Sequence, residues 1–161
     1  MTYGRGRLSI APHRFIIRAL QNQPILVQGG DQTRTPTHID DVVRYCFAVI
    51  QAPIEHWRGR VVHAVYPTDR TTKGSFSLRE MAHMVKEITG SKSPIVESDY
   101  EVGENLSSGP VHEWIISTTA HGLGVTPSVD FASGLERTLD WLKKRLALDP
   151  MEDVMNRLTT H

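Results

Sequence analysis

Arg34 is the only cation in Gln28-Gly29-Gly30-Asp31-Gln32-Thr33-Arg34-Thr35-Pro36, a stretch otherwise made of small and polar residues. A guanidinium presents its N–H donors in a rigid fork, which suits the paired oxygens of a phosphate. The apolar run Pro24-Ile25-Leu26-Val27 precedes the glycine pair, and His38-Ile39-Asp40-Asp41 leads into an amphipathic pattern. The spacing therefore predicts a strand, a glycine turn and an arginine held just beyond the turn, before a helix begins. On spacing alone such an arginine is more often solvated or ion-paired, here with Asp40 or Asp41, than an anion ligand.

Other reactive arrangements fail residue by residue. There is no HExxH, and none of the eight histidines has another at the helical spacing that would put two metal ligands on one face. Gly74-Ser75-Phe76-Ser77 lacks the small-residue framing of a nucleophile elbow. Tyr3-Gly4-Arg5-Gly6-Arg7 contains a GxG fragment without the preceding strand and third glycine of a dinucleotide turn. The residues four places after Tyr3, Tyr45, Tyr66 and Tyr100 are Arg7, Val49, Arg70 and Glu104, so no lysine lies one helical turn after a tyrosine to activate its phenol. These residues predict no catalytic group, no cofactor-binding motif and no metal site.

The elements that must position Arg34 follow from periodicity. Pro12 opens a helix carrying Phe15, Ile16, Ala19 and Leu20 on one face. A second helix starts with Asp40 as cap and turns Val42, Val43, Cys46, Phe47 and Ile50 inward, which makes the single cysteine a small core residue. Ser77 and Glu80 form a capping box for a third helix, with Leu78, Met81, Ala82, Val85 and Ile88 inward and Gly90 as terminator. Arg60 to Val65 and Pro94 to Glu97 read as strands, and Ser117 caps a short helix. Asp130 caps the last helix, whose stripe is Phe131, Leu135, Thr138, Leu139 and Leu142. The alternation predicts an α/β fold with a small mixed sheet of short strands and about five helices. Residues 1–148 form the domain and 149–161 a C-terminal tail.

The totals exclude several partners. With 18 basic and 18 acidic residues in 161, no field of one sign draws in a polyanion, and nucleic acid is not expected. The opening MTYGRGRLSIAPHR lacks the apolar run of a signal peptide, and no stretch approaches the roughly 20 apolar residues of a membrane span, so the expectation is a cytoplasmic protein without a membrane segment.

Several short motifs, in order, carry a resemblance. Tyr3-Gly4-Arg5-Gly6 is similar to a YGPG-like sequence, PILVQGGDQTRTPTHIDDVV to a strand, glycine turn, Q-x-R and h-V-x-D run, Gly90-Ser91-Lys92 to a TGSK turn, and Leu123 to Pro127 to an LGWxP motif. Phe131 to Trp141, with Gly134, Leu135 and Thr138, follows the same source's final helix. The chain resembles the C-terminal, substrate-binding half of extended short-chain dehydrogenases/reductases, the NAD-dependent nucleotide-sugar epimerases and dehydratases. The resemblance implies that Arg34 contacts the diphosphate of a UDP- or dTDP-sugar and that backbone groups at Leu26 and Gln28 read the pyrimidine. It counts His38, in the same run, among the substrate-binding positions. It also implies that the NAD site and catalytic residues of the complete enzyme lie in a half these residues do not contain, so that the chain is a fragment or a remnant. Apolar surface is then expected from Arg7 to Leu20 and neighbouring strands, covered by a homodimer partner or a separate cofactor domain. Two departures stand out: Glu101-Val102-Gly103-Glu104 occupies the place of a second phosphate-binding arginine in an R-x-G-D segment, and Ile115 replaces an aspartate. They favour an alternative, a structural or interaction module that kept the fold and lost the ligand.

Overall fold

Alternate burial along Ile25–Gln28 sets the frame: Ile25 and Val27 point into the core while Leu26 is 43% exposed. The computed structural model from which this is read describes residues 1–5, 8–59, 64, 74–99 and 125–148. The elements are β1 (Thr2–Tyr3), α1 (Ala11–Leu20), β2 (Ile25–Gln28), β3 (Thr33–Arg34), β4 (Thr37–His38), α2 (Ile39–Gln51), α3 (Ile54–Trp57), β5 (Phe76–Ser77), α4 (Leu78–Thr89), β6 (Ile95–Ser98) and α5 (Phe131–Leu148). The architecture is mixed α/β. Among the described residues the strands form three pairs rather than one sheet: β1 with β4 and β2 with β6 in parallel, β3 with β5 antiparallel. The described strands are only two to four residues long, and helices supply most of the core.

That core is α1, α4 and α5 packed on β2, with Ile16, Ile25, Met81, Leu135 and Leu142 each at most 1% exposed. Burying a side chain of this size contributes about 1.5–3 kcal/mol. The stripes expected for α4 and α5 are those observed, and Asp130 caps α5 through Ser133 N (3.0 Å). The capping box also forms, Ser77 N donating to Glu80 Oε2 (2.8 Å) and Glu80 N to Ser77 Oγ (3.1 Å). Gly90 ends α4 at φ 64°, with Ser91 N on Lys86 O and Gly90 N on Glu87 O. Asn22, at φ 55°, ends α1 with the equivalent pair of bonds, a position where asparagine tolerates the left-handed region. No helix among the described residues is long and apolar enough to cross a membrane.

α2 departs from expectation. Its N-cap is His38, whose Nδ1 accepts from Asp40 N, so Asp40 is not the cap. The inward residues are Asp41 and Tyr45, whereas Cys46 is exposed and Val43, Phe47 and Ile50 are 44%, 59% and 75% exposed. Amphipathic spacing says which residues share a face, and it leaves open which face meets the core. Here Asp41 decides, because its carboxylate accepts from Ser128 N (3.0 Å), Val129 N (3.0 Å) and Ser128 Oγ (3.2 Å) and so rotates the helix. The exposed apolar surface is only partly where it was expected: α1 buries Phe15, Ile16, Ile17 and Ala19, the neighbouring strands leave Leu26 and Val96 exposed, and α2 carries a further uncovered stripe. The strand expected from Arg60, the helix expected from Ser117, Glu101, Ile115 and the tail 149–161 fall outside the described residues.

Candidate functional site

β2 and β6 pair in register Leu26 with Val96 and Gln28 with Ser98, and these four residues share one face of the ladder. They form part of the wall of a cavity of about 400 Å³, which Met1, then Ile10, Ala11, Arg14 and Phe15 at the start of α1, and Gln32, Arg34 and Leu78 complete. The volume lies within the range of small-molecule pockets, roughly 300–1,000 Å³. Ile25 N donates to Pro94 O and Gly29 N to Ser98 O, both 2.9 Å, so the odd-numbered residues face β6. Alternation along a strand then directs the N–H and C=O groups of Leu26 and Gln28 to the opposite edge.

Arg34 is placed by the turn that precedes it. Gly29 has φ 60°, which favours glycine, and a Cβ on Gly30 would lie 2.9 Å from Glu97 Oε2 and 3.2 Å from Arg79 Nη2, so a side chain there would displace the ends of that ion pair. Gln32 N closes the turn on Gly29 O (2.9 Å). The turn also completes the start of α4, with Leu78 N donating to Gln32 O (2.9 Å) and Arg79 N to Gly30 O (3.0 Å). Two amides that a helix start would leave unpaired are satisfied this way. Arg79 reaches back to Glu97 through two bonds of 2.7 Å and to Asp31, and these carboxylates raise its pKa further above an already high value. β3 then pairs with β5, which fixes Arg34 opposite Phe76.

The Arg34 guanidinium donates from Nη1 to Thr33 O (2.9 Å) and from Nη2 to Gln32 Oε1. It pairs with neither aspartate: Asp40 lies 3.3 Å from Arg137, and Asp41 is held by Arg44, Ser128 and Val129. Two of the five donors of a guanidinium are engaged by its own turn, and the remainder suit an anion in the cavity. The structure thus brings Leu26, Gln28 and Arg34 together. It places His38 apart from them, 3% exposed, with its ring edge-on to Tyr3. Burial pushes the His38 pKa below 6.5, against the pull of Asp40, so Nδ1 keeps its lone pair for the Asp40 amide at 3.2 Å. The 3.4 Å separation from Asp40 Oδ2 is proximity, not an ion pair. The α1 residues of the wall had no separate sequence signal, because Ile10, Ala11 and Phe15 read as ordinary apolar positions.

No protein-family model and no curated protein sequence matches the chain. Solved structures do. The UDP-glucuronic acid 4-epimerase of Bacillus cereus, in complex with UDP-glucuronic acid and NAD, aligns at TM-score 0.72 and 25% identity over 90% of this chain and 43% of its own. The chain shares its fold with UDP-sugar epimerases. The UDP-glucose 4-epimerase of Thermotoga maritima, solved with UDP-glucose, gives TM-score 0.71 at 21% identity, covering 90% of this chain and 44% of its own. The WbmF enzyme of Bordetella bronchiseptica, in complex with NAD+ and UDP, gives 0.70 at 24%, covering 97% and 47%. The chain spans less than half the length of each of these proteins.

Proposed function

We propose that residues 1–148 are the sugar-nucleotide-binding part of an NAD-dependent epimerase or dehydratase of the extended short-chain dehydrogenase/reductase family. The observation that carries this reading is the convergence of Leu26, Gln28 and Arg34 on one cavity. In it, Arg34 clamps the diphosphate of a UDP- or dTDP-sugar, and the backbone of Leu26 and Gln28, directed away from β6, reads the pyrimidine edge. His38 acts as a helix cap and stays outside the ligand contacts. NAD supplies hydride removal and return in a complete enzyme of this family, and these residues orient the sugar for it. They do not fit the cofactor themselves. Gly4 brings backbone against Ile39, where a Cβ would meet Ile39 Cγ2 at 2.6 Å, and α1 begins only at Ala11.

The uncovered face of α2 favours a second reading, an interaction module whose role is to dock a partner. Nucleotide binding separates the two. For the first reading, UDP or dTDP at a hundredfold excess over its Kd raises the melting temperature by roughly 5–10 °C, and Arg34→Ala removes most of the shift. No shift with any nucleotide, in the wild type or in Arg34→Ala, selects the module.

A further inference from the structure

The cavity wall contains two arginines, Met1 with its amino group donating to Thr35 O, and no carboxylate among its described residues, although the whole chain has equal numbers of acids and bases. Arg34 stands on one side and Arg14, in the opening of α1, on another. Arg14 is exposed, and its guanidinium makes no hydrogen bond or ion pair among the described residues. Arg44, Arg79 and Arg137 each pair with an aspartate or glutamate. The nearest acids at the glycine turn, Asp31 and Glu97, are both taken by Arg79. They do not compensate Arg14.

Its position in the helix is also unfavourable on local grounds. The N-cap of α1, Ile10, supplies no side-chain cap, and the first turn contains no acidic residue. Arg14 N makes the first bond of the helix, to Ile10 O (3.1 Å), so the cation sits close to the positive end of the helix dipole. A residue that opposes its local electrostatics without a partner is expected where a ligand provides one. An anion in the cavity would satisfy the helix start and Arg14 together.

We propose that Arg14 is a second phosphate-binding side chain of this cavity, completing with Arg34 a two-cation clamp on a nucleoside diphosphate. The proposal rests on the sugar-nucleotide reading and deepens it. It supplies from α1 the cation that Glu101-Val102-Gly103-Glu104 does not. Two arginines approaching from different elements favour a diphosphate over a monophosphate, because each engages its own group of oxygens.

Calorimetric titration of uridine, UMP and UDP at low salt tests this on the wild type, Arg14→Ala, Arg14→Lys and Arg58→Ala. Arg58 is exposed and lies outside the cavity, so its variant controls for net charge. Arg14→Ala is expected to weaken UDP about three- to tenfold, UMP less and uridine not at all, with a shallower salt dependence. Arg14→Lys retains most of the UDP affinity, and Arg58→Ala matches the wild type. If the wild type binds UDP and Arg14→Ala binds it equally well, the clamp is wrong while the sugar-nucleotide reading stands. Equal losses for uridine and UDP would show that Arg14 acts on the fold or the base instead. A wild type that binds none of the three overturns both.

Discussion

Burial lowers the pKa of His13 and of His38 below the ordinary 6.5, through loss of hydration of the charged ring. His13 is 1% exposed, with Nε2 donating to Gly4 O and Nδ1 without a partner. Both rings are neutral in the folded chain at pH 7, whereas in the unfolded chain they take up protons as the pH drops through 6.5. Their contribution to stability is therefore fully present above about pH 6.5 and is lost as the pH falls toward the depressed folded values. Melting scans should show a constant Tm from pH 7 to 8 and a decline from 6.5 to 5 that His13→Gln makes shallower; an identical slope in that variant contradicts the assignment. The stripe read from the sequence for this helix, Phe15, Ile16, Ala19 and Leu20, did not include His13, because an imidazole without an apolar signature gives no reason to expect full burial. Asp41 was similarly opaque. Its identity suggested an exposed charge at a helix start, and its bonds to Ser128 and Val129 depend on a segment 87 residues away.

Where elements close on themselves, local chemistry specified them. The Ser77 and Glu80 box, Gly90 and the Asp130 cap each satisfy backbone groups within four residues, so sequence alone located both ends of α4 and the start of α5. α2 shows the limit of that reasoning, since its rotation is set by Asp41 and not by its apolar stripe. Gly134, in the first turn of α5, was legible only through family likeness, and the structure supplies its physical reason. A Cβ there would lie 1.9 Å from Tyr3 Oη and 2.6 Å from Cζ, and the tyrosine ring is buried against Phe131. Alanine normally stabilises a helix interior by about 1 kcal/mol relative to glycine. Here the steric term should win, and Gly134→Ala should destabilise by about 1–3 kcal/mol in urea denaturation. A more stable variant would mean that β1 and α5 are not packed this closely.

For the whole molecule, the residues that face solvent matter as much as the cavity. Val43, Phe47 and Ile50 follow one another at helical spacing along α2, and Ile54 opens α3 after a break at Ala52 and Pro53, all four at least 44% exposed. Under either reading of the function a second copy or another partner would cover this stripe. Light scattering at high concentration should show association that Phe47→Glu reduces, whereas a monodisperse monomer contradicts self-association. The cavity itself was only half legible: the order strand, glycine turn, arginine could be read along the chain, but the α1 wall and Arg14 reach it through tertiary packing. Titration of UDP into the 15N-labelled protein tests the central claim most directly. Saturable shifts of the Leu26 and Gln28 amides and of the Arg34 Nε–H resonance are expected, with α2 unaffected. Shifts absent from these three sites, or centred on another surface, would contradict that claim.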